Sequence, residues 1–184
     1  MNSADFPLLE TERLLLREIV LPDAAALFAV HGDGESMRWF GSDPLPDEAA
    51  AVKLIELFAG WRNLANPGTR WGLQIKGEDQ LVGTCGLFAW QRNWRRCTVG
   101  YELHPRVRGN GYMREALGAV LQWGWEHMEL NRVEAQIHPD NADSLRSAEA
   151  LGFKREGLLR QAGYWAGKHH DLVQYGLLRE DWLG

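Results

Sequence analysis

Cysteine is scarce in this 184-residue chain: Cys85 and Cys97 are the two present, too far apart for a CxxC pair and too few for a disulfide framework. They read as reduced thiols in or near strands. No uninterrupted apolar run approaches the ~20 residues that cross a bilayer. The first ten residues (MNSADFPLLE) hold two acids, no basic cluster and no long apolar core, so neither a membrane span nor a secretory leader is expected and the expected compartment is the cytoplasm. Basic charge is short too, with 20 Lys+Arg against 25 Asp+Glu and a formal net charge of −5, which argues against a general nucleic-acid binder. Repeats, low-complexity tracts and linkers are missing, so residues 1–184 are expected to form one domain. With 45% hydrophobic residues and nine Trp, that domain has ample material for a core.

Several catalytic signatures are also lacking. GxxxxGK[ST] is absent, GxSxG is absent, and His138, His169, His170 and Asp171 show no metal-ligand spacing, so the last three read as a solvated turn.

What is present is a clear alternation of periods. Thr11 to Ile19 suits a strand, Ala24 to Val30 a helix ended by Gly32 and Gly34, and Asp47 can cap a second helix running to Asn66-Pro67-Gly68. Three alternating segments follow, Trp71 to Lys76, Leu81 to Trp90 and Cys97 to His104, which read as consecutive antiparallel strands. Gly111 to Met128 then carries Met113, Leu117, Val120, Gly124 and Met128 at helical spacing. A strand at Val133 to Ile137, a short helix capped by Asn141 and stopped by Gly152, and two closing strands complete the chain. About seven strands and four helices in this order give an α+β mixed sheet, mostly antiparallel, with the helix between the fourth and fifth strands leaving that pair parallel.

Between the fourth strand and the third helix lies Pro105-Arg106-Val107-Arg108-Gly109-Asn110-Gly111-Tyr112-Met113. Two glycines at such a junction let the chain turn tightly and gather N–H groups at a helix N-terminus, a cradle for phosphate. The plainer alternative is a tight strand-to-helix turn with no ligand. Charge favours the cradle: residues 92–114 hold Arg92, Arg95, Arg96, Arg106, Arg108 and Arg114 against Glu102 alone, a local +5 that leaves −10 for the rest. RGNGYM lacks the third glycine of a dinucleotide fingerprint, so a pyrophosphate held by backbone and arginine without a metal is the remaining phosphate reading.

At these residues the chain resembles the GNAT (Gcn5-related) N-acetyltransferase superfamily, whose acyl-CoA signature Q/R-x-x-G-x-G/A matches Arg106-Val107-Arg108-Gly109-Asn110-Gly111. Thr11-Glu12-Arg13-Leu14, Asn141-x-x-Ser144 and Leu151-Gly152-Phe153-Lys154-Arg155-Glu156-Gly157 resemble its RimJ/RimL-like branch, which acetylates ribosomal-protein N-termini. The likeness spans roughly residues 8–180. It implies a sheet splayed between its fourth and fifth strands with acetyl-CoA in the opening. Arg106, Arg108, Gly109, Asn110, Gly111, Tyr112 and Met113 would hold the pyrophosphate, the backbone around Leu103 the pantetheine amides, and Asn141 the cofactor arm from the other side.

Acetyl transfer to an amine needs a neutral nucleophile, support for a tetrahedral oxyanion and often an acid for the departing thiolate. An α-amine of pKa about 8 is roughly a tenth neutral at pH 7, whereas lysine is neutral about once in a few thousand. Glu102 is the first candidate base and Glu134 the second, each with an ion-pair reading beside it. The tyrosine that many family members place seven residues after the asparagine is replaced by Ala148. By resemblance, Ser144 takes the acid role; its plainer use is to satisfy a first-turn N–H. The expectation is a direct-attack N-acetyltransferase using acetyl-CoA and no metal, with a protein N-terminal α-amine as acceptor. No nucleic-acid or membrane partner is expected, and a homodimer is compatible with the group. The rivals are a small-amine acceptor (polyamine, amino acid or aminoglycoside) and a non-catalytic acyl-CoA sensor.

Overall fold

The computed structural model describes residues 6–182, so part of the leader reading at residues 1–10 lies outside the described residues. Eight strands, β1 (Leu9–Glu10), β2 (Leu14–Arg17), β3 (Thr69–Ile75), β4 (Leu81–Gln91), β5 (Arg96–Leu103), β6 (Arg132–Ile137), β7 (Lys154–Trp165) and β8 (Lys168–Leu178), form one sheet. Their order is β1-β2-β3-β4-β5-β6-β8-β7, antiparallel except where β5 meets β6. Five helices accompany them: α1 (Ala24–His31), α2 (Gly34–Met37), α3 (Glu48–Trp61), α4 (Tyr112–His127) and α5 (Ala142–Ala150).

The extra strand and helix beyond the expected seven and four have local causes. Thr11 closes a turn, its N–H donating to the Leu14 carbonyl at 3.0 Å while its Oγ1 accepts from the Leu14 N–H at 3.0 Å. The run from 11 to 19 therefore breaks, and Leu9–Glu10 folds back onto Leu15 and Leu16. Asp33 caps α2 by accepting from the Ser36 N–H at 3.0 Å, so Gly34 opens a helical turn where a stop was expected. Asp47 caps α3 in the same way through the Ala50 N–H at 2.8 Å.

The sheet separates two cores. On one face, Leu117, Val120, Leu121 and Trp125 of α4 pack with Leu14, Leu16, Trp71, Leu87 and Val133. Each such fully buried aliphatic side chain contributes about 1.5–3 kcal/mol relative to exposure. On the other, Leu27 of α1 and Ala51, Ile55 and Phe58 of α3 pack with Ile19 and Leu81. Both thiols lie buried and free, Cys85 in β4 and Cys97 in β5, and burial raises the pKa of each.

The feature that makes the site is a partial pairing. β5 and β6 pair in parallel only at Arg96–Thr98 with Arg132–Glu134. Near that paired end β4 carries a bulge between Phe88 and Gln91, with Ala89 at φ 52, which bends the strand. Beyond Thr98 and Glu134 the two strands part, each keeping its outer partner: β5 stays on β4 down to Leu103 with Gly83, and β6 stays on β8 down to Ile137 with Val173.

Candidate active site

A cleft of about 660 Å³ occupies the opening. Val99 to Leu103 of β5 form one wall and Ala135 to Ile137 of β6 with the start of α5 the other, and Trp39 and Phe40 add to the lining. Arg108, Gly109, Gly111, Tyr112, Met113 and Arg114 line it from the glycine loop and the start of α4.

The glycine loop has the chemistry of an anion site. Gly109 and Gly111 both adopt positive φ, 78° and 79°, a region that side-chain-bearing residues rarely enter. The resulting turn leaves the N–H groups of Gly109, Asn110 and Gly111 without an acceptor among the described residues, and Tyr112 and Met113 begin α4, where first-turn amides have no intrahelical partner. Arg108 lines the cleft and is fixed by an Nε–H donation to the Leu103 carbonyl at 3.0 Å. Leu103 lines it as well. Arg106 does not line the cleft, because Glu78 draws its guanidinium away at 2.8 Å. Asn110 turns its side-chain amide into its own loop, donating to the Val107 and Arg108 carbonyls at 3.2 and 3.3 Å, and does not line the cleft.

The basic stretch is less concentrated in space than along the chain. Arg92, Arg95 and Arg96 sit at the β4–β5 turn, about 25 Å from the glycine loop by the rise of an eight-residue strand. There Arg92 stacks over Trp90 and Arg96 over Trp94, and Arg96 also pairs with Glu134 at 3.2 Å. The cleft takes its positive charge from Arg108, Arg114 and Arg146 of α5 instead, the last paired with Asp143.

The two carboxylates separate. Glu134 lies at the paired end of the strands between Arg96 and Arg132, and is not part of the cleft. Glu102 does line it, yet its side chain is held from behind. Oε1 meets His31 Nε2 at 2.8 Å and accepts from the Thr84 hydroxyl, while Oε2 takes the Arg70 guanidinium. Burial pushes its pKa up, but the Arg70 charge, His31 and Thr84 together outweigh it and hold the carboxylate below its ordinary range. The ion-pair partner is therefore an arginine of β3, 32 residues away in sequence.

Asn141 and Ser144 meet as helix-capping partners in the cleft wall: Asn141 Oδ1 accepts from the Ser144 N–H at 3.2 Å. The Ser144 side chain also lines the cleft, where it is a hydrogen-bond partner of the Tyr101 phenol. Tyr101, not singled out from the sequence, reaches across the opening and donates to the Ser144 carbonyl at 3.4 Å. Burial pushes its phenol up to about 12, only partly offset by a hydrogen bond with the Ser144 side chain, so it stays protonated at neutral pH. Trp39 and Phe40 were missed too. Their signal was two adjacent aromatics in the Gly- and Pro-rich stretch between α1 and α3, where no periodicity points to a core.

His138 and His170 correct another expectation. Both are buried, His138 Nε2 lies 3.2 Å from His170 Nδ1, Trp165 stacks on His170 at 3.7 Å, and Trp39 stacks on His138 at 4.1 Å. The pair belongs to an aromatic stack that supports Trp39 in the cleft lining, and only His169 of that run is exposed. No group of three or more His, Cys, Asp or Glu able to hold a metal occurs among the described residues.

Comparison with known proteins matches this architecture. The Acetyltransferase (GNAT) domain family matches residues 13–154. The uncharacterized N-acetyltransferase YoaA of Bacillus subtilis (strain 168) is 34% identical over 174 residues, 95% of this chain and 98% of YoaA. The [ribosomal protein uS5]-alanine N-acetyltransferase of Escherichia coli (strain K12) is 27% identical over 113 residues, 61% of this chain and 58% of that protein. A GNAT-family acetyltransferase from Bacillus anthracis shares the fold, with a TM-score of 0.82 at 24% identity over 95% of this chain and 99% of its own. With the glycine loop, the splayed strands and these matches in agreement, the chain belongs to the GNAT acetyltransferase family, enzymes that transfer an acetyl group to an amine.

Proposed function

We propose that the chain transfers acetyl from acetyl-CoA to a protein N-terminal α-amine by direct attack, as a member of the RimJ/RimL-like branch. The observation that carries the reading is the mixed lining of the cleft: unpartnered N–H groups and Arg108 in the glycine loop, with the acids Glu35 and Asp140 and the ring of Trp39 also in its wall. The loop suits a pyrophosphate and the acids a cationic amine. The donor rests on the backbone of Gly109 to Met113 with Arg108, Leu103 and Asn141 flanking its arm; Arg106, paired with Glu78, stands outside the lining.

Both thiols are buried outside the cleft with raised pKa values, so neither offers a thiolate for a covalent acetyl intermediate, which supports direct attack. Ser144, whose side chain partners the Tyr101 phenol, donates its hydroxyl to the departing sulfur. Glu102 accepts the amine proton through water; its lowered pKa makes it a weak base, adequate for an α-amine and poor for lysine. The similarity to the uS5-alanine enzyme supports the α-amine acceptor. Free thiols agree with a cytoplasmic setting, and no described helix is long and apolar enough to cross a membrane.

The acidic residues of the lining equally suit a small polyamine, so the test is one panel: peptides with free N-termini, the same peptides blocked but bearing lysine, and polyamines, assayed for CoA release. Turnover confined to free N-termini is expected. Preferential transfer to blocked lysine peptides or to polyamines refutes the acceptor assignment, and tight acetyl-CoA binding with no turnover on any amine refutes catalysis in favour of a sensor.

A further inference from the structure

The N-terminal run Thr11-Glu12-Arg13 is about a hundred residues from the glycine loop in sequence, yet the two are locked together. Glu115, in the first turn of α4, accepts three hydrogen bonds and makes an ion pair. Oε1 takes the Thr11 hydroxyl at 2.6 Å and the Arg13 N–H at 2.8 Å, and Oε2 takes Arg13 Nε at 2.7 Å, with Arg13 Nη2 in ion-pair contact with Oε2 at 2.7 Å. The third arm of the guanidinium, Nη1, donates to the Asn110 carbonyl at 2.9 Å, and the group lies 4.6 Å from the Tyr112 ring centroid. Every polar edge of Glu115 is thus spent on one short segment.

Two consequences follow for the loop. In a trans peptide the carbonyl and the next N–H point in opposite directions, so fastening the Asn110 carbonyl to Arg13 turns the Gly111 N–H away from it, and Gly111 lines the cleft. Glu115 would otherwise place a free negative charge one helical turn from the site where phosphate is to bind, competing for the same helix N-terminus. We infer that Thr11 and Arg13 are positioning residues for acetyl-CoA: they cancel the Glu115 charge and hold the Asn110–Gly111 peptide with its N–H toward the donor's pyrophosphate. Burial alone would push the Glu115 pKa up, but Thr11 and Arg13 hold it below the ordinary carboxylate range, so the charge that needs cancelling is present at neutral pH. The inference rests on the acetyl-CoA reading above.

The test is calorimetric acetyl-CoA binding by wild type, Arg13→Ala and Arg13→Ala/Glu115→Gln, alongside KM for S-acetyl-pantetheine, a donor that lacks the pyrophosphate. Arg13→Ala is expected to weaken acetyl-CoA binding about tenfold, the size of an uncancelled charge at a helix N-terminus. KM for S-acetyl-pantetheine should move less than twofold, and adding Glu115→Gln should restore most of the lost affinity. Equal losses on both donors, or no rescue by Glu115→Gln, would make Arg13 a general structural support and overturn the inference. If Arg13→Ala does not fold, Arg13→Lys, which keeps the charge but cannot span Glu115 and Asn110, must show the same donor selectivity, and its absence counts equally against the idea. A wild-type chain that fails to bind acetyl-CoA at all would instead overturn the donor reading.

Discussion

Replacing Glu102 by Gln isolates the buried charge network from the shape of the cleft. The substitution is nearly isosteric, but it leaves the Arg70 guanidinium, 5% exposed, without its anion. Arg70 would keep the Thr84 hydroxyl at 2.7 Å and its position near the Phe58 and Phe40 rings, 5.1 and 5.7 Å from their centroids. Breaking a buried pair by removing one partner costs about 3–5 kcal/mol, and the two rings offset part of it at about 0.5–1 kcal/mol each. The expected loss is therefore about 3 kcal/mol, or a Tm lower by roughly 6–12 °C for a chain of this size. Urea unfolding followed by circular dichroism measures it, with an unchanged m-value showing that the native state is otherwise intact. The pH dependence has a definite sign. Glu102 is held below its unfolded pKa, so its contribution is fully present above the unfolded carboxylate pKa of about 4.3 and is lost as pH falls through the lower folded value. Wild type should lose stability along that acid limb more steeply than the Gln variant. A loss under about 1 kcal/mol at pH 7, with parallel acid limbs, would refute the claim that Arg70 depends on this carboxylate.

Other expectations are simpler. Ser144→Ala should lower kcat about tenfold or more at saturating substrates while leaving the donor KM unchanged; wild-type kcat would end the acid assignment. Gly83→Ala should cost about 1–3 kcal/mol in thermal or urea denaturation, because a Cβ there meets the Glu102 carbonyl and lies 3.1 Å from Leu103 Cα across the β4–β5 pair. Acetyl-CoA affinity should fall with it, as Leu103 is moved. Glu134→Gln should cost about 1 kcal/mol or less as a partly exposed ion pair and leave kcat untouched, since the side chain lies outside the cleft.

Much of the architecture was readable because its causes are local. Caps at Asp47 and Asn141 act over three residues, helical and strand periods repeat within a turn or a pair of residues, and glycine's tolerance of positive φ marks the loop at 109–111. Thr11 shows where local reading fails: its hydroxyl competes with the strand ladder and breaks a run whose apolar pattern reads as continuous. Arg106 shows another failure, since a motif position says nothing of Glu78, which arrives from the β3–β4 turn and takes its charge.

The sequence by itself determined most of the succession of elements, the glycine loop and the family whose signature that loop carries, since each is written within a few consecutive residues. Tertiary structure decided which charges share the cleft. Arg92, Arg95 and Arg96 are close to the loop in number and a strand's length away in space, while Arg146 arrives from α5. It also decided that Glu102 is bound to Arg70, His31 and Thr84 and that Arg13 holds Glu115. The physical reason is the same in each case: sheet register and helix packing bring together groups that local propensity cannot connect, and a charged side chain's role is set by the partner it meets.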